Sequence, residues 1–362
     1  LILVDDHSNM NHLIENLDTF SLSYGGLIKV VRSPEHEGLI RARIMGAKEA
    51  TGKYLVFLDS HCEANVEWLE PLIYPITLDY KVVTCPTIDG IEHKTYEYKP
   101  YGGIGGETAR GSFSWLFYYK ERQLTEEQKG ERKRLIDPVP TPVMAGGLFA
   151  ISKKWWLELG EYDPEMYAWG GEQYELSFKV WMCGGYMFNV PCSRVGHIYR
   201  GPGLNRNDQG LNFKHPDSIN VNYKRVAEVW MDEYKNFLYA VKPGIKNAKN
   251  YEKGLNERIH IRNRLKCHSF KWYLENIIKD TLQTAYEPDR SWDTIQSMGS
   301  NKCLNILQNQ IILTPCNFAT VSNIVLAVRV LDGHGLMKLE MMSTASKYLE
   351  KNPHGIGVMK KK

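Results

Sequence analysis

Tyr54-Leu55-Val56-Phe57-Leu58-Asp59-Ser60-His61-Cys62-Glu63 is an apolar run that ends on an acid and, two residues later, a histidine. A short continuous apolar run of this kind reads as a strand buried on both faces. Leu1 to Val4 is a second such run, and it also ends on carboxylates, Asp5-Asp6. Between the two, Gly38 to Ala50 places Leu39, Ile40, Ala42, Arg43 and Ala47 at helical spacing, with a stop at Thr51-Gly52-Lys53. Strand, helix and strand in alternation imply an α/β sheet with right-handed crossovers. Ligands of such open sheets bind beyond the carboxyl ends of the strands, so Asp5, Asp6, Asp59 and His61 are expected on one rim.

On an extended backbone, residues two apart point the same way, so Asp59 and His61 could share one cation. A hard oxygen beside a borderline nitrogen suits manganese better than calcium. From the tripeptide alone, an aspartate closing a strand-end turn is the stronger reading. A third ligand is available from a distant segment, His197 within Val195-Gly196-His197-Ile198-Tyr199-Arg200, although a lone histidine is more often structural. In Trp169-Gly170-Gly171-Glu172-Gln173-Tyr174-Glu175 a glycine pair opens a helical stretch, and Glu172 and Glu175 at i and i+3 share a helix face. An indole beside carboxylates can stack on a sugar and accept its hydroxyl hydrogens, while a packed Trp and an exposed Glu pair explain the same residues.

The composition narrows the class. The chain has 362 residues with a net charge of +3, which argues against a nucleic-acid partner. With 43% hydrophobic residues it can bury a sizeable core, and its length suggests two units. Its apolar runs are short, such as Ile324 to Val328, far below the roughly 18 residues of a membrane span. None of the seven cysteines forms a C-x-x-C pair, so zinc-knuckle and thioredoxin motifs are absent. Gly102 to Gly111 lacks dinucleotide-fingerprint and P-loop spacing and reads as a surface loop, and Thr125 to Arg134 reads as a solvated charge run.

Taken in order, Asp59-Ser60-His61, Ala145-Gly146-Gly147-Leu148-Phe149 after Pro142, Trp169-Gly170-Gly171-Glu172 and Pro191-Cys192-Ser193-Arg194-Val195-Gly196-His197 resemble the polypeptide N-acetylgalactosaminyltransferases. The resemblance implies a glycosyltransferase A-type α/β fold, Rossmann-like with a mainly parallel central sheet. It also implies retaining transfer of GalNAc from UDP-GalNAc to Ser or Thr hydroxyls of polypeptides or GalNAc-bearing glycopeptides in the Golgi lumen. By the family pattern Asp59, His61 and His197 bind Mn2+; Asp6, Arg41 and Ser60 face the nucleotide; Trp169 and Arg200 border the phosphates. Glu172, which holds the sugar hydroxyls, Glu175 one turn on and Arg200 are the expected catalytic residues, and the acceptor hydroxyl attacks from the face that UDP leaves, its proton passing to the β-phosphate. Phe113 and Trp115 resemble the acceptor-facing segment, though either could be a core aromatic. The pattern pairs Cys183 with Cys267 and Cys303 with Cys316, leaving Cys62, Cys85 and Cys192 free.

The resemblance divides the chain into a catalytic domain over 1–285, a linker over 286–293 and a partial ricin-type β-trefoil (lectin) segment over 294–362. It places the family's first strand and helix, and a type II membrane anchor, upstream of Leu1. The chain departs from the pattern at 201–222, which is longer than the family's loop over UDP, and at Asn305, where the lectin signature has aspartate. Gln173-Tyr174 resembles the branch that prefers acceptors already carrying GalNAc. Two other readings remain: a non-catalytic UDP- or carbohydrate-binding scaffold, and a transferase of the same fold acting on glycans.

Overall fold

The structure is a computed structural model that describes residues 1–101, 109–199, 217–279 and 282, and beyond them the backbone of five strands between 291 and 341. Strands β1 (Ile2–Asp5), β2 (Lys29–Arg32), β3 (Tyr54–Phe57), β4 (Cys62–Ala64), β5 (Val82–Ile91) and β6 (Tyr98–Lys99) alternate with helices α1 (Asn11–Ser23), α2 (Leu39–Glu49) and α3 (Leu69–Leu78). There follow β7 (Arg110–Phe113), β8 (Tyr119–Arg122), α4 (Glu126–Glu131), β9 (Val139–Pro140), β10 (Phe149–Ser152), α5 (Lys153–Glu158), α6 (Glu172–Met182) and β11 (Tyr186–Ile198). Helices α7 (Ser218–Trp230), α8 (Lys235–Val241), α9 (Pro243–Asn247), α10 (Leu255–Arg264) and α11 (Phe270–Asn276) complete this part.

The central sheet runs β3-β10-β5-β11-β4, with β6 added to β5 and β9 to β11, while β1 and β2 pair parallel as a separate ribbon. It is a mixed sheet, which corrects the expectation of a mainly parallel one. Only β5 and β11 run parallel within it; β10 lies antiparallel between β3 and β5, and β4 antiparallel to β11. The pairing with β4 follows from an irregularity in β11. Its pairing with β5 jumps from Val190 opposite Pro86 to Arg194 opposite Thr87, so Pro191-Cys192-Ser193 form a bulge. A bulge re-aims the strand beyond it, and the re-aimed half, Val195-Gly196-His197, pairs with β4 so that His197 lies opposite Cys62.

Helix α6 is buried along its whole length and is the centre of the core. Around it Phe113, Phe117, Tyr174 and Phe178 form an aromatic cluster with ring centroids 4.7–6.5 Å apart. Phe113 and Trp115, expected at the acceptor, are core residues with 2% and 4% exposure, Trp115 packing against Phe237. The charge run at Thr125 to Arg134 forms α4, whose Thr125–Gln128 capping box fixes its start and which buries none of its residues.

Cys183 at the end of α6 is bonded to Cys267, while Cys62, Cys85 and Cys192 are free thiols, Cys85 buried and Cys192 exposed. Beyond residue 290, β12 (Ser291–Thr294), β15 (Val325–Val330) and β16 (Met337–Met341) form an antiparallel three-stranded sheet, and β13 (Lys302–Leu307) pairs with β14 (Gln310–Pro315) as a hairpin. Cys303 sits in β13, but Cys316 lies outside the described residues, and with it the expected second bridge. Among the described residues no helix is long and apolar enough to cross a membrane.

The Cys183–Cys267 bridge closes a separation of 84 residues. A loop of that size gives about 4.5 kcal/mol of chain-entropy stabilisation. Cys183→Ala/Cys267→Ala is therefore expected to lose stability of that order in urea titration, with the same loss when the parent protein is measured in reductant.

Candidate metal and nucleotide-sugar site

Asp59 follows the end of β3, His61 precedes β4, and His197 lies one residue from the end of β11. Two distant segments, the β3–β4 connection and the end of β11, thus offer one oxygen and two nitrogen donors whose atoms all lie within 4.8 Å of one another. His197 Nε2 stands 3.4 Å from Asp59 Oδ2, and the two imidazoles meet edge to face at 4.5 Å. Asp5 and Asp6 do not join them. Asp5 is held by Arg32 at 2.5 Å, and Asp6 accepts the backbone N–H groups of Glu37 and Gly38 at 2.7 and 2.8 Å. Both acids therefore anchor the β1 and α2 ends rather than the three-ligand cluster.

Arg43, buried on α2, sets the orientation of Asp59. Its guanidinium donates to Asp59 Oδ1 at 2.8 Å and to the carbonyls of Gly146 and Gly147 at 2.6 and 2.5 Å. Burial raises the Asp59 pKa, but the hydrogen bond with His197 and the charge of Arg43 outweigh it and hold the carboxyl below its ordinary value. An ionised carboxylate facing two imidazoles, with His197 Nδ1 buried and unpartnered, suits a borderline divalent cation such as Mn2+. Burial beside Asp59 pushes the Cys62 thiol up to about 11, which leaves it a protonated neighbour of the cluster.

Gly146 and Gly147 separate this cluster from the first turn of α6. A Cβ on Gly147 would stand 2.7 Å from Asp59 Oδ2, and one on Gly146 would stand 2.9 Å from Gln173 Cβ. Glu172 opens α6 with 3% exposure and accepts the Gly170 N–H at 2.7 Å. Burial raises its pKa against the opposing effects of those N–H bonds and of Arg43. Trp169 remains 40% exposed beside it. Gly170 and Gly171 take φ of +99° and +96°, a turn that few other residues tolerate.

The remaining expected site residues are distributed as follows. Ser60 is exposed at the strand end. Arg41 lies with its guanidinium 4.2 Å over the Tyr167 ring and donates to Pro164 O and Glu37. Arg200 lies outside the described residues, as does most of 201–222. Glu175 is corrected from a catalytic role: with every face of α6 covered, its carboxylate is 2.6 Å from Lys179 in a pair that is 1–2% exposed. A cleft lined by Tyr101, Glu121, Ala145, Leu148, Asn189 and Arg194 opens next to Gly146-Gly147.

Sequence reading missed two residues of the site, Arg43 as an orienting group and Asn222, whose amide bonds the Tyr167–Gly170 backbone. For Arg43 a signal existed: it stands three residues after Ile40, on the apolar stripe with Ile44 and Ala47, where a solvated cation has no place. Asn222 had none, since its partners lie more than 50 residues away.

Residues 1–156 match the family model "Glycosyl transferase family 2", and residues 137–201 match "N-terminal domain of galactosyltransferase". The chain is 47% identical over 312 residues to N-acetylgalactosaminyltransferase 6 of Drosophila melanogaster, covering 85% of this chain and 45% of the relative. It is 43% identical over 310 residues to polypeptide N-acetylgalactosaminyltransferase 10 of Homo sapiens, with 84% and 48% covered. The crystal structure of GalNAc-T7 with UDP, GalNAc and Mn2+ superposes with a TM-score of 0.73 at 39% identity, covering 90% of this chain and 60% of that one. The chain therefore has the glycosyltransferase A-type fold. It belongs to the polypeptide N-acetylgalactosaminyltransferase family, and it spans about half the length of the curated relatives it matches.

Gly147→Ala is expected to displace Asp59 and weaken Mn2+ binding about 10- to 100-fold, the usual effect of disturbing the shell around a ligand. Titration of free Mn2+ by electron paramagnetic resonance measures this without any turnover.

Proposed function

We propose that this chain transfers GalNAc from UDP-GalNAc to Ser or Thr hydroxyls of polypeptides or GalNAc-bearing glycopeptides, with retention and with Mn2+ as cofactor. The observation that carries the reading is the close stack of Asp59, Gly147, Gly146 and the first turn of α6, which sets a three-ligand metal cluster against a buried carboxylate. The relatives' names and the UDP, GalNAc and Mn2+ of the GalNAc-T7 structure support it.

In this reading Asp59, His61 and His197 hold the metal, which when bound neutralises charge developing on the departing diphosphate. Asp6, Arg41 and Ser60 border the nucleotide, and Trp169 with Arg200 borders the phosphates. Glu172 accepts hydroxyls of the sugar, its other contact being the Gly170 N–H that fixes its direction. The cleft beside Ala145 and Leu148 receives the acceptor, while Phe113 and Trp115, buried in the aromatic core, do not line it. Residues 1–285 form the catalytic unit, 286–293 link it, and 294–362 correspond to part of a ricin-type lectin. The Cys183–Cys267 bridge is compatible with work in the Golgi lumen, where the family's type II membrane proteins act.

The test is transfer from UDP-GalNAc, with Mn2+ and with chelator, to a naked Ser/Thr peptide and to its GalNAc-bearing counterpart, alongside calorimetric UDP binding. Metal-dependent transfer to either supports the reading, and transfer to the glycopeptide alone assigns the follow-on preference. UDP binding with no transfer to either would make the chain a binding protein instead. His197→Ala is expected to abolish both Mn2+ binding and transfer. Glu172→Gln is expected to reduce transfer about 100-fold or more while changing UDP affinity little, a loss of about 2.7 kcal/mol confined to the sugar step.

A further inference from the structure

The loop that presents Trp169 and Glu172 has an unusual backbone. Ala168, Gly170 and Gly171 all have positive φ, at 54°, 99° and 96°. Such conformations persist only where the surroundings over-determine them. What determines them here is one side chain from a different element. Asn222, on the second turn of α7 and 0% exposed, accepts the Tyr167 N–H at 3.0 Å through Oδ1. Through Nδ2 it donates to Tyr167 O at 2.8 Å and Gly170 O at 2.9 Å, with Trp169 O at 3.4 Å. Gly170 in turn donates its N–H to Glu172 Oε2 at 2.7 Å.

We propose that Asn222 is the positioning residue of the donor-sugar site: its amide fixes Gly170, and Gly170 fixes the direction of the Glu172 carboxylate. Only an amide supplies an acceptor and two donors from one planar group. An aspartate of the same shape keeps the bond to the Tyr167 N–H but sets a carboxylate oxygen against three carbonyl oxygens. The helix packs closely on the turn: a Cβ on Gly171 would stand 3.3 Å from Asn222 Cβ. The same helix provides an internal contrast. Lys224, two residues on, staples the carbonyls of Lys246 and Ala248, both at 2.8 Å, and so secures a turn that carries none of the proposed donor contacts.

The proposal rests on the sugar role of Glu172, and the experiment separates the two. Dissociation constants of UDP-GalNAc and of UDP are measured by calorimetry in Mn2+, together with Tm, for the parent protein, Asn222→Asp, Asn222→Ala, Lys224→Met, Glu172→Gln and the double variant Asn222→Asp/Glu172→Gln. For Asn222→Asp the ratio of the two constants is expected to move about tenfold or more against the sugar nucleotide, and less for Asn222→Ala. Lys224→Met is expected to lower Tm and leave the ratio unchanged. The double variant is expected to shift the ratio no further than Glu172→Gln alone, because Asn222 acts through that carboxylate. If the Asn222 variants lower Tm as Lys224→Met does and keep the parent ratio while Glu172→Gln loses it, the positioning role is overturned and the sugar role stands. If Glu172→Gln also keeps the ratio, both fall. Should Asn222→Asp fail to fold, Asn222→Ala decides between the same outcomes.

Discussion

Burial of α6 on every face is the constraint on which the rest of the molecule depends. The helix takes Glu172, Gln173, Glu175 and Lys179 into the core with its aromatic residues, and buried charge is tolerated only when paired and hydrogen-bonded. Their partners come from the helix itself and from other segments. Lys179 pairs with Glu175 and donates to Glu161 O, Asp163 beside them takes a bidentate bond from Arg225, and Arg225 reaches on to the carbonyls of Tyr251 and Lys253. The polar layer thus joins the sheet side of the core to α7 and the turn before α10. Its N-terminal end, Glu172, is the one acid of α6 that has no lysine or arginine bonded to it among the hydrogen bonds of the described residues, and it faces the glycine turn instead.

Charge is handled oppositely at the two ends of the site. Asp59 keeps its charge because Arg43, His61 and His197 surround it, so the ligand set is ready before any cation arrives. Glu172 is pushed toward the protonated form by burial, and its hydrogen bond from Gly170 only partly offsets this. The two carboxylates thus sit in different environments, and the Gly146-Gly147 pair lets Asp59 on one side and Gln173, the residue after Glu172, on the other approach the same backbone. A methyl group at Gly147 would press on Asp59, and one at Gly146 on Gln173.

Much of this was legible in the sequence. The strands that end in Asp5-Asp6 and Asp59, the helix between them and the helix opened by Gly170-Gly171 follow from local periodicity and turn chemistry, and β1, α2, β3 and α6 fall where expected. The direction of β10 was not legible, because strand polarity in a sheet is decided by the neighbours a segment meets and not by its own alternation. The type and spacing of Phe113, Trp115 and Glu175 suit an open site as well as a core; only their surroundings, aromatic for the first two and Lys179 for the third, distinguish the cases. Arg200 and the Cys303–Cys316 bridge lie outside the described residues.

The bulge at Pro191-Cys192-Ser193 ties the two halves of the site together. Asn189, Pro191 and Arg194 line the cleft, and His197 lies three residues after Arg194 on the same strand. Arg194 is fixed by Asp89, a fully buried carboxylate that also accepts from the Tyr98 hydroxyl and the Tyr101 N–H. The strand beyond the bulge is therefore clamped at Arg194 on one side and by pairing with β4 on the other, and His197 has little freedom to move away from Asp59. Were these three residues paired in regular register instead of bulged out, His197 would be carried three positions further along β5, away from its place opposite Gly90 and Cys62. A candidate metal ligand near the end of a 13-residue strand is held in place by an irregularity in its middle, and the same irregularity shapes the wall of the cleft.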